Sequence, residues 1–170
     1  MATSLGGASI GVSISAVLQN VLDGRTIRDV INFNPNHVLT DGTGAGQAKS
    51  VFFDRRTLAA SASEELDLAG GISDSFGNVL TFSKIRALLI RPLQTNTNNV
   101  LVGGAASNGW TGPFANANDI LVGRPGGILL VTAPDAAGYA VVGGTGDRLK
   151  LENSGAGSSV SFDVLIIGTT

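Results

Sequence analysis

Residues 119–131 read Asp119-Ile120-Leu121-Val122-Gly123-Arg124-Pro125-Gly126-Gly127-Ile128-Leu129-Leu130-Val131. Two short aliphatic runs flank a reversal made of Arg, Pro and Gly. The runs are too short for helices and have the length of strands. The same grammar extends in both directions. Val100-Leu101-Val102 precedes it, and Tyr139 to Val142, Arg148 to Glu152 and Ser159 to Ile167 follow. The separators are Gly103-Gly104, Pro134 to Gly138, Gly143 to Asp147 and Asn153 to Gly157, where Gly and Asn accept the positive φ of tight reversals. Short strands at spacings of about 8–12 residues predict an all-β chain folded as an antiparallel β-sandwich or barrel.

The amino-terminal half is read by the same rule. Ser9-Ile10-Gly11-Val12-Ser13-Ile14-Ser15 alternates strictly, which predicts a half-buried strand with Ile10, Val12 and Ile14 on one face. Val79 to Arg91 follows Gly77-Asn78 and stops at Pro92, predicting one long strand that runs from an edge into a covered centre. Thr57 to Ala69 carries two signals: Leu58, Ala62, Leu66 and Ala69 recur at helical spacing, whereas Leu66-Asp67-Leu68 alternates. It is read as strand because its neighbours are β. Val17 to Val30 has room for a short helical turn. The expected organisation is an N-terminal arm over residues 1–8 and a single β-sandwich domain over residues 9–170.

Composition narrows the function. The chain has 170 residues and is 43% hydrophobic, enough to build a core without staples. Only 14% of it is charged, against about 25% in an average soluble domain. Cys is absent and His occurs once, which removes disulfides and thiolate metal sites and restricts general-base chemistry. The net charge of −2 supplies no field for nucleic acid, and among the scattered cations only Arg55-Arg56 are adjacent. No aliphatic run approaches the ~18 residues of a membrane span. The first residues lack a basic region and an apolar run, so synthesis in a cytoplasm is expected.

Several patterns invite an enzymatic reading and fail on stated points. Gly7-Ala8-Ser9-Ile10-Gly11 has the spacing of a nucleophile elbow, but an alternating strand follows it where a helix is required. Gly42-Thr43-Gly44-Ala45-Gly46-Gln47-Ala48-Lys49-Ser50 ends like a phosphate loop, yet Thr43 and Ala48 occupy the two obligatory glycine positions. It is read as a mobile loop. His37, in Asn34-Pro35-Asn36-His37, has no companion with which to bind a transition metal. Glu64 and Glu65 would point to opposite faces of a strand. Asp41, Asp74, Asp119, Asp135 and Asp147 sit beside turn formers, where Asx turns explain them. No catalytic, cofactor or metal residue is assigned, and the chain is not expected to be an enzyme.

The aromatic loop Asn108-Gly109-Trp110-Thr111-Gly112-Pro113-Phe114 leaves three readings open. Trp110 could plug an open end of the sandwich, anchor a protein interface, or stack on a glycan.

Ser83 to Arg91, Gly123 to Leu130 and the closing Ser158 to Gly168 resemble small structural proteins of tailed-bacteriophage virions. The resemblance spans roughly residues 50 to 168. It implies a jelly-roll-like sandwich of the capsid cement, or decoration, kind, which sits as a trimer on the shell, with the major capsid protein and copies of itself as partners. It carries no catalytic residues. The expected function is to stabilise a capsid against internal DNA pressure, at the capsid surface of a virion. The low charge fits, because neutral surface marks protein partners. Leu5 in the arm, Trp110 and Phe114 in the aromatic loop, and Arg55 and Arg56 are the candidate partner contacts. Alternatives are a receptor- or carbohydrate-binding module working through Trp110 and Phe114, or a ring-forming head or tail subunit.

Overall fold

The computed structural model describes residues 4–170; Met1, Ala2 and Thr3 of the expected arm lie outside the described residues. The described chain has no helix and folds into sheets, antiparallel except for the short β4–β5 pair, arranged as a β-sandwich. It opens with β1 (Ala8–Gly11), β2 (Ile14–Leu22), β3 (Arg25–Phe33), β4 (Asn36–Asp41) and β5 (Gln47–Ala48). The sandwich begins with β6 (Ser50–Leu58) and β7 (Ser63–Asp67), and β8 (Ala69–Ser73) with β9 (Val79–Thr81) makes a small hairpin. There follow β10 (Lys84–Pro92), β11 (Val100–Gly103), β12 (Ile120–Gly123), β13 (Leu129–Thr132), β14 (Tyr139–Ala140), β15 (Arg148–Asn153) and β16 (Val160–Thr169).

One sheet has the order β13-β10-β16-β6, with β14 added beside β10, and the other the order β12-β11-β15-β7. Strands far apart in sequence are therefore neighbours. β6 pairs β16, β7 pairs β15, β10 pairs β13 and β11 pairs β12. The chain is in effect folded in half and laid down as a double strand. Alternation then sorts the side chains. Phe52, Leu88, Ile90, Phe162, Val164 and Ile166 from the first sheet meet Leu66, Val100, Val102, Leu149 and Leu151 from the second, all buried. Phe82 and Leu80 close one part of this core.

Three local expectations change. Val17 to Val30 holds no helical turn; it lies in a nine-pair β-ribbon between β2 and β3, closed at Asp23-Gly24 with Gly24 at φ 78°. The long strand from residue 79 is interrupted at Phe82-Ser83, because Phe82 turns inward and its amide donates to the Leu68 carbonyl rather than continuing the ladder. Thr57 to Ala69 is neither one strand nor a helix. It is the end of β6, a turn at Ala59 to Ala62 containing Ser61 at φ 55°, and then β7.

The N-terminal strands form a second layer. β1 pairs β4 and β2 pairs β3 in one continuous register: Ala8 is opposite Leu39, Gly11 opposite Asn36, Ile14 opposite Phe33 and Leu22 opposite Arg25. At its base, the even-numbered face of β1 packs on the outer side of the first sheet, where Leu5, Ala8, Ile10 and Leu39 meet Ala87, Leu165 and Ile167. The expected free arm is thus shorter than eight residues, since Leu5 is half-buried and Ala8 already belongs to β1.

Candidate interaction surface

Charged groups in this fold are turned to structural use. A β-bulge between Ile85 and Ala87 leaves Arg86 as the extra residue of β10, and it is wholly buried. Its Nε donates to the Gln47 carbonyl at 3.0 Å, and Nη2 donates to the carbonyls of Thr43 and Gly44, each at 2.9 Å. Nη1 donates to the Asp135 carbonyl. The Gly42 to Ser50 segment, expected to be mobile, is therefore pinned to the sandwich. Its carbonyls converge on a cation, the reverse of a phosphate cradle, which presents amide N–H groups to an anion.

The other enzymatic patterns separate in space. Ser9 lies opposite Val38 and His37 opposite Ile10, so their side chains point to opposite faces of the β1–β4 pair. Ser9 Oγ donates to Asn36 Oδ1 at 2.7 Å instead. Asp74 accepts from the amides of Phe76 and Asn78 and from the Asn78 side chain; that side-chain bond above all holds its carboxyl below the ordinary range. Asp119, Asp135 and Asp147 accept from the nearby amides of Asn116, Gly138 and Gly144. Among the described residues no group of three potential ligands is placed to hold a metal ion.

The aromatic loop resolves to the plug. Trp110 is 3% exposed, and its Nε1 donates to the Ala140 carbonyl at 2.9 Å. Phe114 and Tyr139 stand edge-on to it at centroid distances of 6.5 and 6.1 Å. Gly112 lies so close that a Cβ there would overlap the indole and Tyr139. Trp110 thus offers no stacking platform and no interface anchor, and Phe114 is half-buried against the same core. The expectation that Trp110 contacts a partner is corrected, because its apolar area is already used inside the domain; Phe114 keeps part of its surface outside.

The arginine pair divides. Arg56 belongs to the inner side of β6, where it lies over the Phe52 ring at 5.9 Å and near Asp54 and Glu64. Burial pushes the Glu64 carboxyl up, with Arg56 opposing the shift. Arg56 is a structural cation rather than a free contact. Arg55 is on the outer side. Its Nε donates to Asp163 Oδ1 at 2.7 Å, and Arg91 Nε donates to Oδ2 of the same carboxylate at 2.9 Å. The Arg55 hydrogen bond leads in holding the Asp163 carboxyl below its ordinary range, burial opposes it, and Arg91 adds to the lowering. Asp163 is buried while both guanidiniums are more than half exposed, so the row Arg55–Asp163–Arg91 presents net positive charge.

Beside this row the outer face of the first sheet is apolar. Leu130, Leu89, Leu165 and Phe53 stand side by side across four strands, and Phe53 is 57% exposed. A cleft lined by Leu5, Val51, Phe53 and Phe76, together with Lys49, Asp74 and three serines, opens at the β6 edge, and Phe76 is 82% exposed. Leu5 and Arg55 are therefore brought to one face, while Arg56, Trp110 and Phe114 are not. Sequence reasoning missed Phe53 and Phe76. Phe53 follows Phe52, and two adjacent aromatics in a strand must face opposite ways, so one of them had to leave the core unless a second layer covered it.

No family model, curated protein or solved structure matches this chain. The surface itself carries the functional reading.

Proposed function

We propose that this chain is a structural virion protein of the capsid cement kind. It binds the outside of a tailed-phage capsid as an oligomer, a trimer by the resemblance, and opposes internal DNA pressure. The observation that carries the reading is the inverted use of side chains. Arg86, Asp163 and Arg56 are spent on internal ties, while Phe53, Phe76, Val79, Ile120, Val122 and Ile128 stand in solvent. Exposed apolar side chains that sit together, as Phe53 and Phe76 do in one cleft, mark a protein partner. The folded-in-half pairing of eight strands, first with last and fourth with fifth, supports the jelly-roll form of the sandwich.

The mechanism is mechanical. The subunit contacts the shell through the Leu5, Phe53 and Phe76 cleft, with Arg55 at its margin. Shell rupture then requires re-exposing apolar surface buried between cement and capsid. A carbohydrate-binding reading loses its platform with the burial of Trp110.

The test is binding to empty shells of the cognate major capsid protein. The wild-type protein should saturate them and raise their rupture temperature. The double substitution Phe53→Ser and Phe76→Ser, at two exposed positions, should lower affinity at least tenfold and leave the fold intact. Failure of the wild type to bind shells, or equal binding by the variant, overturns the proposal.

A further inference from the structure

The β2–β3 ribbon is the largest feature that the sandwich does not explain. Every residue from Ser13 to Asn34 is exposed, on both faces of the ribbon. A two-stranded hairpin that packs on nothing is marginal at best in water, and this one is rich in aliphatic side chains.

Its two faces differ. Direct cross-strand partners share a face, so the even-numbered positions of β2 group Ile14 with Phe33, Ala16 with Ile31, Leu18 with Asp29, Asn20 with Ile27 and Leu22 with Arg25. The opposite face carries Ser15 with Asn32 and Gln19 with Arg28, interrupted by the Val17–Val30 pair and by Val21 beside Thr26. Ser15 Oγ donates to Asn32 Oδ1 at 3.1 Å, and Ser13 Oγ donates to Asn34 Oδ1 at 2.7 Å, so a Ser–Asn ladder marks the side meant for water.

The apolar face is also the continuation of one that is already covered. The register runs unbroken from β1–β4 into β2–β3. Ala8, Ile10 and Leu39 on that same face pack against the domain's own first sheet. Beyond Val12 and Pro35 the domain ends and the stripe goes on uncovered.

We infer that this stripe packs against the same stripe of a second copy of this chain, ribbon face to ribbon face. Three observations favour a copy over a foreign partner. Ile14, Leu18, Ile27, Ile31 and Phe33 are each more than half exposed and Leu22 38% exposed. At roughly 100 Å² apiece, two such faces bury on the order of 1,200 Å², the size at which specific interfaces begin. The face is also neutral: its one carboxylate, Asp29, and its one guanidinium, Arg25, cancel, so two copies of it do not repel. Finally, stacking two twisted ribbons face to face gives each the covered side that a lone hairpin lacks. The contact is isologous and joins two copies in solution, independently of a shell and of the trimer that the resemblance implies on it.

The experiment uses the full chain without capsids. Native mass at tens of micromolar should be that of a dimer. The double substitution Leu18→Asp and Ile31→Asp should reduce it to the monomer, whereas Val17→Asp with Val30→Asp, on the opposite face, should leave it unchanged. Since the chain has no Cys, single thiols give a second reading that leaves packing nearly intact. Alkylation at Ala16→Cys should be at least tenfold slower than at the adjacent Ser15→Cys. A monomeric wild type, an oligomer that survives the Leu18 and Ile31 changes, or equal alkylation rates overturns the inference. An oligomer that does not bind shells would sustain it while sinking the cement reading.

Discussion

Arg86 shows what a single side chain holds together. Its guanidinium satisfies the carbonyls of Thr43, Gly44, Gln47 and Asp135, and so joins two loops to the bulge of β10. Arg86→Ala would leave those acceptors without donors inside the protein, at a cost of about 3 kcal/mol. Chemical denaturation should show that loss, and Arg86→Lys should recover little of it, because an ammonium cannot reach all four carbonyls from one position. Asp163 gives the pH dependence. Its folded-state carboxyl titrates below its ordinary value. The stabilisation is therefore complete above about pH 5 and is lost as pH falls through the ordinary carboxylate range, near 3.9, toward the lowered one. Unfolding midpoints at pH 7 and pH 3 should differ in the wild type. Asp163→Asn should be less stable at pH 7 and show a smaller drop between the two, with Asp74 supplying part of what remains.

Among the elements, the ribbon and the sandwich should be separable. Val12 donates its amide to the Pro35 carbonyl at 3.1 Å, directly where the ribbon leaves the domain. Replacing residues 13–34 by a short Gly-Ser loop shortens the hairpin to its packed base. The shortened chain should retain its cooperative unfolding and its denaturant midpoint within about 1 kcal/mol, because no side chain of the sandwich core comes from the ribbon. Its native mass should fall to that of the monomer. The strand β16 is the opposite kind of element. It lies between β10 and β6 and sends Val160, Phe162, Val164 and Ile166 into the core. At its end Gly168 passes so close to the Lys84 carbonyl and the Phe82 ring that a Cβ would overlap both.

Taken as a whole, the molecule is a charge-poor sandwich with its polar ties inside and apolar patches outside. Two of these patches carry different readings. The ribbon face continues a packed layer of the same chain, which points to a copy of itself; the Phe53 and Phe76 cleft adjoins an arginine row on the outer sheet, which points to another protein surface. The low charge content first noted in the composition thus has two sources. Many turn positions are Gly, Asn or Ser, with acids such as Asp74, Asp119, Asp135 and Asp147 bonded to turn amides, and several exposed strand positions that would ordinarily carry Lys and Glu are aliphatic or aromatic.

The all-β class was legible in the chain because a strand's period is local: Ile120 to Val122, Leu129 to Val131 and Val160 to Ile167 announce themselves by runs and reversals of a few residues. The alternation of Ile10, Val12 and Ile14 was legible for the same reason, but the single half-buried strand expected over Ser9 to Ser15 is split between β1 and β2, and Ile14 is 54% exposed because the domain no longer covers it. Which strands pair was not legible, since β6 meets β16 across a hundred residues and nothing local records it. Nor was the fate of any large side chain. Trp110 in a glycine-rich loop is buried, and Leu18 and Ile31 in good strands stand in water. Local sequence sets the period of the backbone and the faces on which side chains fall. Whether a face is covered depends on which distant layer arrives there, and for the β2–β3 ribbon no layer of its own chain does.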